Sequence, residues 1–509
     1  MILVAVLILG AIIGLMVQLT NNREPHPSET PARIPARVLY TTHSPISING
    51  NENFTTANGV SGGIGTASDP YIIADWDINA STTTGISIQD TDSYFIVRNC
   101  HVHGGSFVYD GIDLSNCVNG TLEDNNCTNN HYGIYLSTSS NNVLSDNECN
   151  SNSYSGVYLD LSSNDTLSNN TCNSNYFLYG MYLVSSSHVT LINNTCSSNG
   201  YAGVLLDRSS NNTLVNNNCS SNYLPGIGLF SSSNNTLSNN CIYSSEVGIL
   251  LSSSNNNTLI DNHCGSNFAG IDLGYSNNNT LSNNNCSSNN PNGIVLSSSN
   301  SNTLTNNDCS SNINGILLGS SNRNELSYNN CSNSVFGSGL YLDSSGNNTL
   351  INNNCSNNRW GLQLDSSSND NEISWNLVFN NGEYGVDISS GSNNRIWNNT
   401  FIGNNGATDT YVSSHVQAFD NGTNNWWNST NGYGNYWSDW RGPDLSPMDG
   451  IVDYPYLTDG SAGSWDYYPI AEYYGTPIAE FGMMPFVVIA FMAAIVLAGE
   501  TRRKKNAGP

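Results

Sequence analysis

Two aspartates stand one repeat apart at the ends of matching segments, Ser338-Gly-Leu-Tyr-Leu-Asp343 and Trp360-Gly-Leu-Gln-Leu-Asp365. If the chain between them closes one turn of a coil, Asp343 and Asp365 stack at ~5 Å, the spacing of neighbouring strands. That is near the carboxylate separation with which retaining glycosidases work. Repulsion between the two would raise one pKa, as an acid catalyst requires. Tyr341, Gln363 and Asp387 share the outward position two residues earlier in phase, and Arg359 and Trp360 precede Gly361. This patch is the best suited to catalysis; its bland alternative is one solvated face of a rod. A second set, Tyr135, Tyr158 and Tyr182 with Asp160 beside them, places rings on three successive repeats. Stacked rings offer apolar surface to sugar CH groups, whereas the structural alternative is tyrosine packing that strengthens a sheet.

The candidates are therefore Asp343 and Asp365 for catalysis, and Tyr135, Tyr158, Asp160, Tyr182, Tyr341, Trp360, Gln363 and Asp387 for ligand binding. No metal site is assigned. Copper favours clustered His, Met or exposed Cys, and Cys100-His101-x-His103, the nearest approach, reads as polar residues flanking a strand. No nucleophile elbow, phosphate loop or zinc motif is present. The only lysines are Lys504 and Lys505, so the basic residue that a lyase or epimerase would use has few candidates.

These residues are positioned by a repeat. From Cys127 to Cys355 a cysteine returns every 22 to 24 residues, with an asparagine two positions before it, as at Asn194/Cys196, Asn217/Cys219 and Asn239/Cys241. Between cysteines come a Gly-apolar-x-apolar element, such as Gly133-Ile-Tyr-Leu136, and a short Asn-Thr-Leu strand. Three short strands per turn describe a parallel β-helix, an all-β solenoid of about fourteen coils. Alternation in Gly-Ile-x-Leu sends two side chains inward and one outward. The asparagine suits the left-handed conformation of a tight corner, and its amide can bond its counterpart one coil away. The cysteines read as a buried column of small apolar side chains, mostly free thiols.

Net charge is −26, yet charged residues make up only 10% of the 509 residues, and Asn, Ser and Thr carry the polarity. No basic stripe exists to meet a phosphate backbone, which argues against a nucleic-acid partner. Sequons such as Asn211-Asn-Thr213, Asn218-Cys-Ser220 and Asn234-Asn-Thr236 fit a secreted glycoprotein.

The Asn-Thr-Leu-x-x-Asn-x-Cys and Gly-Ile-x-Leu repeats resemble the NosD-like, pectate-lyase-type right-handed β-helix family, whose repeats are also called carbohydrate-binding/sugar-hydrolase domains. Gly434-Asn-Tyr-Trp-Ser-Asp439, Asp449-Gly-Ile451 and Asp453-Tyr-Pro-Tyr456 look like that family's C-terminal end. The resemblance spans roughly residues 60 to 470. It implies a single-stranded right-handed coil and, through the family's label, a copper connection. It also implies a calcium-loop-like acidic run, interrupted here by Leu445, Pro447 and Met448, which leaves Asp444, Asp449 and Asp453. The tail, Ala479-Glu-Phe-Gly482, an apolar stretch and Arg502-Arg-Lys-Lys505, resembles archaeal sorting signals, with alanine where they carry proline.

Six segments result: 1–20, signal peptide or N-terminal membrane anchor; 21–43, linker; 44–84, N-terminal cap and first strands; 85–410, repeats; 411–475, aromatic C-terminal cap; 479–509, transmembrane helix with a basic cytoplasmic tail. The reading is a membrane-anchored, cell-surface β-helix that binds a polysaccharide or serves as a scaffold, with no cofactor assigned. A polysaccharide hydrolase or lyase is the alternative, and a copper-related accessory protein the second.

Overall fold

A 22-to-24-residue unit cannot bury an apolar face alone, so each turn of the chain lies on the one before it. The computed structural model describes residues 40–445 and 448–471. The expected signal peptide or membrane anchor at 1–20, nearly all of the linker and the expected transmembrane tail fall outside the described residues. Among those described, no helix is long and apolar enough to cross a membrane.

Two sheets of sixteen strands run the length of the coil. The first, the front sheet, extends from Ile46–Asn49 to Ala418–Asp420 and carries the Gly-Ile-x-Leu elements. The second extends from Val60–Gly62 to Arg395–Trp397 and carries the Asn-Thr-Leu elements. Successive front-sheet strands pair in parallel and in phase, for example Ile134 on Val157 and Leu136 on Leu159. Their Ile and Leu side chains are fully buried.

The third face is thinner than the repeat suggests. It begins as four strands, from Thr41–His43 to Asn126–Thr128, and ends as three, Leu377–Phe379, Thr400–Ile402 and Tyr436–Trp437. Between them it is a chain of single-residue bridges from Glu148 through Thr171, Thr195 and Asn218 to Leu377. All thirteen cysteines are free, and all but Cys241 are buried. Burial pushes the Cys172, Cys264, Cys309 and Cys355 thiols well above the ordinary range, which keeps these four in the S–H form.

Two details of the corner differ from the sequence reading. The left-handed residue and the ladder residue are separate neighbours: Asn193 has φ 55° while Asn194 makes the ladder bonds. In the Cys241 turn the pattern slips by one. Asn239 is the left-handed residue, Asn240 joins the ladder, and Ile242 fills the buried column, leaving Cys241 half-exposed. The sequence pairing of Asn239 with Cys241 is thereby corrected; isoleucine gains more by burial than a thiol.

Asparagine ladders mark all three corners. In each, Nδ2 and the backbone N–H donate to Oδ1 one turn on, as in Asn217 to Asn240, both at 3.0 Å. A second ladder starts Asn130–Asn152–Asn175; a third runs Asn212–Asn235–Asn257–Asn279. A serine column, Ser139–Ser162–Ser186–Ser209, pairs backbone N–H with hydroxyl oxygen. These columns satisfy buried corner polarity that no strand reaches. The landmark glycines exist for closeness: a Cβ on Gly293 would lie 2.5 Å from the Gly315 carbonyl oxygen and 2.6 Å from Asn312 Nδ2.

Both ends of the coil are plugged by rings. Phe54, in the loop after the first front-sheet strand Ile46–Asn49, stacks on Tyr71 at 4.5 Å over the first turn. At the other end the cysteine column widens into Val378, Phe401 and Trp437, whose ring stacks on Phe401 at 4.2 Å and on Tyr456 at 4.0 Å. Asp444, Asp449 and Asp453 accept hydrogen bonds from the backbone N–H groups of Gly450, Ile451 and Leu445, so this acidic run holds its own turn.

Candidate functional site

In the front sheet the middle residue of each Gly-apolar-x-apolar element points outward, and parallel pairing aligns these residues in one column. Its order includes Asp113, Tyr135, Tyr158 and Tyr182, then, farther along, Tyr341, Gln363, Asp387 and Phe419. Both sequence-derived patches therefore lie on one face, separated by turns in which Leu205, Gly228, Leu250, Asp272, Val295 and Leu317 occupy the column.

The three tyrosines stack face to face, Tyr135 on Tyr158 at 5.0 Å and 16°, Tyr158 on Tyr182 at 5.1 Å and 12°. Both faces of the Tyr158 ring are thus covered. The expectation of flat platforms for sugar is corrected for this ring, which presents an edge and a hydroxyl. Partly buried tyrosines just before the glycine landmarks add tilted rings beside this stack. Tyr132 lies 5.0 Å from Tyr158 at 54°, and Tyr179 lies 4.5 Å from Tyr182 at 43° and 5.5 Å from Tyr201. Tyr154 bridges from His131 to Phe177. Phe177, Tyr176 and Phe107 extend the patch, exposed at 47%, 72% and 61%. An exposed aromatic surface of this extent is unusual on a polar rod.

The N-terminal rim of this patch is acidic. His131 Nδ1 lies 2.9 Å from Asp110 Oδ1, and the Asp110 carboxylate also accepts the Tyr132 N–H. Burial raises Asp113 to about 6, against the Ser115 hydrogen bond, with the charge of Asp110 adding to the rise. Burial and the surrounding acids push the Tyr132 phenol up to about 12 and raise those of Tyr135, Tyr158 and Tyr182. The rings are therefore neutral hydrogen-bonding groups at physiological pH. Asp160 lies in register with Ser137, on the strand that carries Tyr158.

In the second patch Asp343 and Asp365 are direct register partners, as are Tyr341 and Gln363, and Trp360 pairs with Ser338. Tyr341 Oη donates to Asp365 Oδ2 at 3.1 Å and Gln363 Nε2 to the same oxygen at 3.2 Å, while Ser338 Oγ holds Gln363 Oε1 at 2.8 Å. Asp365 Oδ1 is shielded from solvent and has no partner. The raised carboxyl belongs to Asp387, pushed up to about 6 by burial and then by the charge of Asp365. Arg359 covers the Trp360 ring at 4.0 Å, so this indole offers little free face to a ligand.

A sequence profile described as the right-handed beta helix region matches residues 46–188 and 179–330, together more than half of the chain. The chain belongs to the right-handed β-helix family. A profile described as periplasmic copper-binding protein (NosD) matches residues 269–442. Among curated proteins none matches by sequence. Solved structures similar to it include a periplasmic alginate epimerase AlgG, with 15% identity, a TM-score of 0.36, and coverage of 48% of this chain and 80% of that one. Another is the Azotobacter vinelandii mannuronan C-5 epimerase AlgE4 A-module, at 13%, 0.35, 75% and 96%. A third is the pectate lyase Pel9A, at 12%, 0.28, 48% and 77%. These are likenesses of fold only.

As a right-handed β-helix, the chain also has a concave site that the repeat pattern could not announce. A cleft of about 640 Å³ in the C-terminal cap is lined by Tyr411, Trp440, Tyr454 and Trp465 with Asp409, Asp439 and Arg441. Its residues come from four separate stretches, around 410, 440, 454 and 465, so no spacing in the sequence joins them. The flanking tyrosines of the first patch were visible in principle. Tyr132 and Tyr179 each stand directly before a landmark glycine, and Tyr154 and Tyr201 two positions before one.

Proposed function

We propose that this β-helix binds a polysaccharide along the outward column of its front sheet, with Tyr135, Tyr158, Asp160 and Tyr182 as the centre of the surface. The observation that supports this best is the contiguity of seven tyrosines from successive turns: Tyr132, Tyr135, Tyr154, Tyr158, Tyr179, Tyr182 and Tyr201. A linear polymer laid along the coil axis would meet tilted rings and phenol hydroxyls turn after turn, the combination that suits a sugar's CH faces and hydroxyls. Membrane anchoring at 1–20 and 479–509 would hold the rod at a cell surface. The quoted sequon asparagines, Asn211, Asn218 and Asn234, are exposed, which supports a glycoprotein.

Affinity electrophoresis and a glycan array test the reading. A Tyr132→Ala/Tyr179→Ala double variant is expected to lose roughly tenfold or more in affinity for the bound glycan, since aromatic contact residues carry much of an interface's energy. Tyr275→Ala, which removes an exposed ring outside the patch, is expected to bind as wild type. Equal binding by all three proteins would refute the assignment.

A second reading, a hydrolase or lyase centred on Asp343 and Asp365 with Tyr341, Trp360, Gln363 and Asp387 around them, is favoured by one observation. Asp365 Oδ1 is buried and free while Tyr341 and Gln363 fix its partner oxygen. Reducing-sugar and unsaturated-product assays decide it. Turnover by wild type that disappears in both Asp343→Asn and Asp365→Asn would establish catalysis; binding without turnover would remove this reading.

A further inference from the structure

The third face opens with a side-chain cluster that neither patch uses. His101 and His103 alternate on one strand and so project from the same outward side; their rings stack at 4.4 Å. Asp77, one turn earlier, is the register partner of His101. Its Oδ1 lies 2.8 Å from His101 Nδ1 and 3.4 Å from His103 Nε2. All three ligand atoms lie within 4.8 Å of one another. The side chains are about one-third exposed, 35%, 32% and 31% for Asp77, His101 and His103. On the turn that follows, Asn126 is the register partner of His101, and its Oδ1 is shielded from solvent without a hydrogen-bond partner.

We propose that Asp77, His101 and His103 form a binding site for a divalent late first-row transition-metal ion. Ligand atoms around a tetrahedral ion with bonds of ~2.0–2.1 Å stand ~3.3 Å apart. The two spacings to Asp77, 2.8 and 3.4 Å, are close to this, and the His101–His103 pair, within 4.8 Å, closes by rotation of the imidazoles. Two imidazoles and one carboxylate select Zn(II), Cu(II), Ni(II) or Co(II) over calcium or magnesium, which take oxygen ligands throughout. Three protein ligands and a half-open surface leave a position for water or a further ligand, as in sites that exchange or use their metal. The strand pairing fixes all three donors before any ion arrives. The stretch matched by the NosD profile, residues 269–442, lies elsewhere in the chain, so the site rests on its own geometry.

The bland reading is a His–Asp hydrogen-bonded clamp, and a titration separates the two. Full-length protein carrying Cys241→Ser, which removes the half-exposed thiol, is titrated with CoCl2, followed by visible absorption, and then competed with ZnCl2. The expected result is one equivalent of Co(II) with nitrogen/oxygen-type d–d bands, no thiolate charge-transfer band, and displacement by Zn(II). His101→Gln and His103→Gln are each expected to weaken binding by about tenfold or more, with the metal-free melting temperature unchanged. Binding no tighter than that of the His101→Gln/His103→Gln double variant, or a thiolate band, would overturn the proposal.

Discussion

Replacing Asp466 by alanine is expected to unfasten the C-terminal end of the coil, at a cost of about 3–5 kcal/mol. The reason lies in the direction of the asparagine ladders. Members accept through Oδ1 from the turn before and donate the backbone N–H, and in many turns Nδ2 as well, to the turn after, as Asn217 does to Asn240, so a ladder reaches its C-terminal end with donors unmatched. A carboxylate, which only accepts when ionised, completes each one. Asn435 donates its backbone N–H to Asp466 at 2.7 Å. Asn404 donates to Gln417, which donates in turn to Asp439. Asn425 Nδ2 donates to Asp420 at 2.9 Å. Asp466 is fully buried and also receives Trp437 Nε1 at 2.9 Å and the Tyr468 N–H at 3.0 Å.

Alanine at 466 would strand two buried donors, the Asn435 N–H and Trp437 Nε1, and free a third at the exposed Tyr468, each buried one costing about 1–3 kcal/mol and not fully additive. Solenoids lose turns locally, so a single midpoint is a poor measure of a lesion confined to one end. Hydrogen exchange and limited proteolysis are the better ones. Residues 386–471 are expected to exchange and to be cut first, while turns between Gly133 and Gly339 keep wild-type protection. Asp449→Ala, which removes an exposed carboxylate, should change little. Wild-type protection of the last turns in Asp466→Ala would contradict the terminator role.

The frame was legible because one chemical demand recurs every turn. A corner must turn left-handed and then bury its polar groups, and asparagine does both, so the repeat is written in asparagine. The same economy hides the details. Asn239 and Asn240 are identical residues with different tasks, and only the apolar Ile242 reveals which of them is in phase. The cap's Gly434–Asp439 element was recognisable as a motif. Its logic is visible only when assembled: Asn435 is the last ladder asparagine, Trp437 the plug, Asp439 a terminator.

At the candidate sites the phase of each residue could be counted, so Asp343 on Asp365 and Tyr135 on Tyr158 are register facts. Ring orientation is decided by packing between turns, which no spacing records. Hence Tyr158 proves sandwiched and Trp360 lies under Arg359. The His101–His103–Asp77 cluster was half visible as His-x-His; the aspartate joins only through strand pairing.

Acidification from pH 7.5 to 5 is expected to stabilise the protein, raising its melting temperature by several degrees. Burial pushes Asp113, Asp272 and Asp466 to about 6 and Asp165 to about 7, above the ~3.9 of an unfolded aspartate. Between about pH 4 and 7 the folded chain holds protons that the unfolded chain has released, so rising pH removes stability across that window. Below about pH 4 both states are protonated and nothing more is gained. One pKa unit corresponds to ~1.4 kcal/mol, so four such groups amount to several kcal/mol. A melting temperature that is flat or rises from pH 5 to 7.5 would contradict this.

Asp165 supplies the internal check, because among the described residues it is the acid that stands inside an asparagine ladder. Its Oδ1 accepts from Asn142 N–H and Nδ2 at 2.8 and 3.1 Å, but Oδ2 is buried without a partner. At the matching point of a later turn Asn212 Nδ2 donates to the Ser186 carbonyl at 3.1 Å. Asp165→Asn restores that donor, and should stabilise by about 1–3 kcal/mol at pH 7.5. At pH 5 it should gain little, because a protonated Asp165 can donate the same bond. The variant's pH profile would therefore flatten from the alkaline side. A uniform gain at both pH values would mean that repacking, and not the buried charge, sets the cost at this position.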